Sequence, residues 1–286
     1  MRRKIIVNAD DFGLTTSAST GIIDAHRNGQ VNSTTMMVNT PGTEEAVELA
    51  NANPRLGVGL HFNLTEGRPL TSAQSLVDSD GSFRLREDLI RRVIRKAVNP
   101  LDIRQEFEAQ LTRFRNLGLE PSHIDSHQHI HMAPGVFRAI LPVLNTEARR
   151  LRVVRPPRSS PATTNKDLPS KIKGSAMRIS GSLMSRRFNG WTNDSFVSMH
   201  QLRKGTRWTA TCYRQLANSG DRNGWTEFMV HPFAPGPDFE KLYRHDPIRD
   251  IRMEFLASCS QEYEILTTQQ VFDLDEFEIS TWTQVG

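Results

Sequence analysis

Lys4-Ile5-Ile6-Val7-Asn8-Ala9-Asp10-Asp11-Phe12-Gly13 is a β-branched apolar run that closes on two adjacent carboxylates and a glycine. It reads as a buried strand whose C-terminal tip carries charge into a cleft, which is where parallel α/β proteins keep their chemistry. Neighbouring carboxylates repel, so one is commonly neutralised by a cation, a proton or hydrogen bonds while the other stays free to act. Asp10-Asp11 therefore reads as one metal ligand plus one general base, with an ordinary polar turn as the plainer alternative.

The rhythm continues downstream. Ser17 reads as the N-cap of a helix through Ile22, Ile23 and Ala25, ended by Asn28-Gly29. A strand over 33–39 and a helix over 43–52 follow, and Asn53-Pro54 stops that helix. The third strand, 58–64, sets Val58, Leu60, Phe62 and Leu64 on one face and His61 with Asn63 on the other. Residues 65–100 lack clean periodicity and read as a long insertion. Helices are expected over 102–117, from Pro134, over 206–219 and over 247–258, with weak helical character over 171–188. Further strands are expected over 152–157 with Arg155 at the tip, over 195–200, over 226–232 with His231 at the tip, and over 263–267 before a closing helix at 269–274. Strands alternating with helices imply a parallel sheet under covering helices. The expectation is one domain, a distorted (β/α) TIM-like barrel with insertions at about 65–100 and 158–192 and a peripheral acidic tail over 273–286.

Composition narrows the class without choosing the chemistry. The 286 residues are 37% hydrophobic and 7% aromatic, as in soluble globular proteins. Cys212 and Cys259 lack the spacing of a disulfide framework or zinc knuckle. Ile5-Ile6-Val7 is far shorter than a signal-peptide core, and no apolar run approaches the roughly 18 residues of a membrane span, so a cytoplasmic location is expected. The net charge of +4 is uneven, because 149–190 holds eleven basic residues against the single acid Asp167. Without interleaved aromatics or a nucleic-acid motif, this segment reads as a solvated or subunit-facing insertion, compatible with a homodimer.

His123-Ile124-Asp125-Ser126-His127-Gln128-His129-Ile130-His131 concentrates four of the nine histidines in nine residues, which packing alone explains poorly. Alternation would put His123, Asp125, His127, His129 and His131 on one face, although the strand is expected to end before all five are presented. Asp10, Asp11, His61, His127, Arg155 and His231 thus fall at the ends of five strands, and in a parallel barrel those ends open onto one face. One carboxylate and two imidazoles make a three-ligand divalent-metal site with positions left for water and substrate. Asp11, His61 and His127 read as the ligands and Asp10 as the base, with Asp125 either orienting a histidine or competing as a ligand. Asn63, His129 and Arg155 read as supporting or substrate-binding groups.

Asn8-Ala9-Asp10-Asp11-Phe12-Gly13, the segment Gly57 to Gly67 and His123-Ile124-Asp125-Ser126-His127-Gln128-His129-Ile130-His131 resemble the YdjC/ChbG family of carbohydrate deacetylases, and Val230-His231-Pro232 fits its later part. The resemblance covers most of residues 4 to 157 and is weakest over 158–192. It implies a distorted barrel and metal-dependent removal of an acetyl group from an N-acetylated sugar or chito-oligosaccharide. The family's ligands carry over onto Asp11, His61 and His127, and its catalytic aspartate onto Asp10. Similarity to the broader class of polysaccharide deacetylases assigns His231 as general acid. The donor set suits several divalent ions, with magnesium and zinc leading. Alternatives are a deacetylase of a glycolipid such as a hopanoid-linked sugar, a non-haem iron oxygenase and a non-catalytic sugar-binding protein.

Overall fold

The computed structural model describes residues 2–157, 168–203 and 205–285. Its strands are β1 (Arg3–Phe12), β2 (Ser33–Met36), β3 (Gly57–Phe62), β4 (Ile124–Ser126), β5 (Arg150–Leu151), β6 (Trp191–Thr192), β7 (Ser195–Ser198), β8 (Trp225–Val230) and β9 (Phe277–Ile279). The helices are α1 (Thr16–Arg27), α2 (Thr43–Ala52), α3 (Arg86–Ile94), α4 (Pro100–Asn116), α5 (Pro134–Glu147), α6 (Leu168–Arg187), α7 (Ala210–Ser219), α8 (Asp238–Leu242) and α9 (Arg249–Thr268). Every strand pairing is parallel, in the order β6-β5-β4-β3-β2-β1-β8-β7, and β9 adds to β1.

The two ends of that path meet. β6 and β7 are consecutive in the chain, separated by Asn193 and Asp194. The Asn193 side chain accepts from the Val153 N–H at 2.7 Å and donates to the Val153 carbonyl at 3.0 Å, and the Phe196 N–H donates to the Arg155 carbonyl at 2.9 Å. The sheet is thereby curled into the expected TIM-like (β/α) barrel, with the strands' C-terminal ends on one face. β1, buried from Ile5 to Phe12, forms its centre as the opening apolar run requires.

Local chemistry explains most element ends. Thr15 rather than Ser17 caps α1, its hydroxyl accepting from the Ala18 N–H at 3.2 Å, and Asn99 caps α4 ahead of Pro100 at its first turn. Gly21 lets α1 pass close to the chain after β8, since a Cβ there would lie 2.1 Å from the Pro232 carbonyl oxygen. The insertion at 65–100 is anchored by buried Glu106, which accepts from the backbone of Leu70 and Thr71 at 3.0 Å each. Of the basic insertion, α6 and β6 are described, whereas Arg158, Lys166 and Asp167 lie outside the described residues.

Three expectations fail at the C-terminal end. Residues 263–267 are the last turns of α9, because Leu256, Cys259, Glu262 and Ile265 form a buried stripe of helical period that a five-residue window hides. No helix forms over 269–274, where the chain turns towards β9. The tail over 273–286 is not peripheral: Phe277 and Trp282 are fully buried, and Trp282 stacks on His123 with ring centres 4.3 Å apart. Two large aromatics in an acidic segment outweigh its charge, since each buries far more apolar area than the acids need to keep wet.

Candidate active site

β1 ends irregularly. Its register against β2 shifts between Ala9 and Phe12, and Asp11 takes a φ of 68°, a left-handed conformation uncommon outside glycine. In a straight strand adjacent side chains face opposite ways, but this bulge brings both carboxylates to the imidazole of His61. Strain held at a strand tip is the kind that active sites retain.

Around Asp11 the donors converge. Its Oδ1 lies 2.7 Å from His127 Nδ1 and 3.1 Å from His61 Nε2, and all three side chains are buried. His61 Nδ1 is held at 2.7 Å by Asp125 Oδ1, which leaves Nε2 facing Asp11. His127 Nε2 is buried without a hydrogen-bond partner and His61 Nε2 has only its 3.1 Å contact with Asp11, which is too poorly aligned to be a hydrogen bond, a costly state unless something else binds there. A divalent ion fits this set, since its donor atoms fall within 4.8 Å of one another and are the carboxylate and imidazole groups such ions select. Burial alone would lower the His61 pKa, but Asp125 and Asp11 outweigh it and push it up to about 10. A field that holds a proton there would equally hold a metal, and binding would release that proton.

Asp10, His61 and Asp125 form an overlapping donor set, but a guanidinium occupies it. Arg152, fully buried, grips Asp10 through two bonds of 2.6 Å, touches Asp125 Oδ2 at 2.5 Å and reaches Glu227 at 2.7 Å. Asn8 adds a bond to Asp10 at 3.0 Å, and Thr35 donates to Asp125 at 3.0 Å. A guanidinium inside this set disfavours a second cation there, and Asp125 holds the His61 ring by its Nδ1. Burial would raise the Asp10 pKa, yet Arg152 overrides it and holds the carboxyl well below the ordinary range. Burial pushes Glu227 up to about 7 against the pull of the same guanidinium.

His231 stands at the tip of β8. Its backbone N–H donates to Glu262 of α9, whose Oε2 lies 3.8 Å from His231 Nδ1 without bonding to it, and Tyr213 donates to the other oxygen at 3.0 Å. Burial lowers the His231 pKa, with Asp11 and Asp10 pulling the other way, and burial pushes Glu262 up to about 8.

A family model described as YdjC-like protein matches residues 4–274. The chain belongs to the YdjC-like family. It is 37% identical over 236 residues to a chitooligosaccharide deacetylase of Yersinia enterocolitica, covering 81% of this chain and 82% of that one. It is 46% identical over 161 residues to a carbohydrate deacetylase of Geobacillus stearothermophilus, a match spanning 56% of this chain and 62% of that relative, less than two thirds of its length. In fold it is similar to an Enterococcus faecalis V583 protein for which cellobiose-phosphate cleavage has been suggested, with a TM-score of 0.73 at 23% identity and 99% of both chains covered. Among the described residues no helix is long and apolar enough to cross a membrane.

Within this YdjC-like barrel the remaining sequence expectations sort unevenly. β4 ends at Ser126, and Gln128 and His129 turn the chain with φ of 52° and 55°, so the histidines do not share a face. His127 alone of them reaches Asp11, whereas His123 packs at the opposite end of β4 and His131 bonds Ser126 and the Arg152 carbonyl. His129 sets its ring edge on Phe196, with centroids 5.2 Å apart. Asn63 organises its own loop, donating to the Glu66 carbonyl at 2.7 Å and accepting from the Thr65 and Glu66 N–H groups. Arg155 is tied to α6 through Ser185 Oγ at 2.6 Å and the Gly181 carbonyl at 3.3 Å.

Arg152, Glu227 and Glu262 escape sequence reading. β5 pairs only over Arg150–Leu151, so the residue at its tip is Arg152 rather than Arg155. The usable signal was a basic residue inside an apolar run, which needs a buried anionic partner. Glu227 gives the same signal within Thr226-Glu227-Phe228-Met229-Val230.

Proposed function

We propose that this YdjC-like protein is a metal-dependent amide hydrolase that removes the N-acetyl group from an amino sugar or chito-oligosaccharide. The observation that carries the reading is the buried Asp11, His61 and His127 set, with two unpartnered Nε2 atoms, beside an ionised Asp10. A divalent ion held by those three residues, magnesium or zinc by donor preference, supplies Lewis acidity to the acetyl carbonyl and lowers the pKa of water. The deacetylases among its relatives support the substrate class.

Asp10 serves as general base, taking a proton from the attacking water. Arg152 fixes its orientation through two parallel bonds and keeps it ionised at any working pH, at the cost of a weak proton affinity. His231 serves as general acid towards the leaving sugar nitrogen, since an amide nitrogen that gains no proton leaves poorly. Burial lowers the His231 pKa, so the ring carries the donated proton only below the ordinary imidazole range. The acid function is present at low pH and lost as pH rises through that lowered value.

Acetate release from a panel of N-acetylated amino sugars and their oligomers, followed against pH, tests the proposal. Acetate should appear, with a rate that declines as pH is raised out of the acid range in which His231 holds its proton. Binding of these sugars with no acetate at any pH would contradict the hydrolase reading.

A further inference from the structure

A cluster of aromatic rings adjoins His231 at the barrel mouth and takes no part in the chemistry above. His200 lies on the turn that follows β7, Trp208 just before α7 and Phe255 on α9. The His200 ring centre is 5.4 Å from that of His231, 5.3 Å from Trp208 and 5.3 Å from Phe255, and Phe255 is itself 5.1 Å from His231. His200 is exposed, and Trp208 and Phe255 are half-buried. Aromatic area left open beside His231 is available to a ligand held there.

We infer that Trp208, His200 and Phe255 form a stacking subsite for the pyranose ring that bears the leaving nitrogen. The inference rests on the deacetylase reading, because it takes the position of that nitrogen from the role of His231. A nitrogen accepting a proton from His231 lies within about 3 Å of the imidazole. The sugar carbon bonded to it is one covalent bond further, which brings the ring towards His200 and Phe255, whose centres are 5.4 and 5.1 Å from His231, with Trp208 a further 5.3 Å from His200. One face of a pyranose carries axial C–H groups and is apolar, and rigid aromatic rings bind such a face at little entropic cost. These contacts touch the sugar and not the acetyl group, so they set affinity for the carbohydrate and leave the chemical step alone.

The test compares wild type with Trp208→Ala and Trp208→Phe, using the disaccharide and trisaccharide of N-acetylglucosamine. Trp208→Ala should raise KM roughly 3- to 10-fold with kcat within about twofold, as expected for one lost aromatic contact, and Trp208→Phe should restore most of the affinity. Direct calorimetric binding of the same sugars gives a readout independent of turnover, and a circular dichroism melt establishes that the variants are folded. Unchanged KM and unchanged binding in folded Trp208→Ala would overturn the subsite. Should Trp208→Ala not fold, Phe255→Ala read by the same two assays decides, with the same expected and overturning results. If wild type binds these sugars without releasing acetate, the hydrolase reading fails while the binding comparison still decides the subsite. If wild type does not bind them, the subsite is overturned.

Discussion

Replacing Asp10 by Asn should lower acetate release by about 10² to 10⁴-fold, the usual contribution of a positioned base, while metal binding stays intact. Asn is close in shape and still offers an oxygen to Arg152, but it cannot take a proton. Asp11, His61 and His127 keep their geometry in this variant, since none of them bonds to Asp10. The measurements are turnover under saturating sugar and bound metal per chain after dialysis. A rate within a few-fold of wild type would remove Asp10 from the mechanism, and loss of metal alongside turnover would make it a ligand instead.

Arg152→Met should produce the largest stability loss of any single change in the barrel. The substitution leaves Asp10, Asp125 and Glu227 buried with no guanidinium between them. Breaking one buried ion pair typically costs about 3 to 5 kcal/mol, a large part of the roughly 5 to 15 kcal/mol that holds a domain together. The sign of the pH dependence follows. Without Arg152, burial is the largest remaining influence on Asp10 and Glu227 and holds their folded-state pKa values above the unfolded ones, so stability is greatest below the unfolded values and is lost as pH rises through the folded ones. Urea denaturation should therefore place the variant far below wild type at pH 7 and recover part of the gap near pH 5. A variant as stable as wild type at pH 7 would mean that these carboxylates do not depend on the guanidinium.

The barrel was legible because its strands are short apolar runs with polar tips, a pattern that survives without knowledge of neighbours. Lys4 to Gly13, Val58 to Asn63 and Thr226 to Pro232 each announce a buried strand and the residue at its end. The bulge at Asp11 has a local cause too, since two adjacent carboxylates reach one site only if the strand breaks. Partners that depend on convergence were not legible. Arg152 meets Asp10, Asp125 and Glu227 from three other strands, and no local spacing encodes that meeting. Trp282 was misjudged for the same reason, because its burial is decided by His123, Trp191 and Ile6, all remote in sequence. The histidine run erred differently: alternation assumes a strand, and the left-handed turn at Gln128 and His129 ended it after Ser126.

Chelation tests the central claim most directly. The chain should lose acetate release from N-acetylglucosamine oligomers when stripped of metal and regain it on return of about one equivalent of a divalent ion, bound in proportion to the activity restored. His61→Ala should neither bind that equivalent nor recover. Activity that survives thorough chelation would contradict the assignment of Asp11, His61 and His127 as the metal site of an amide hydrolase.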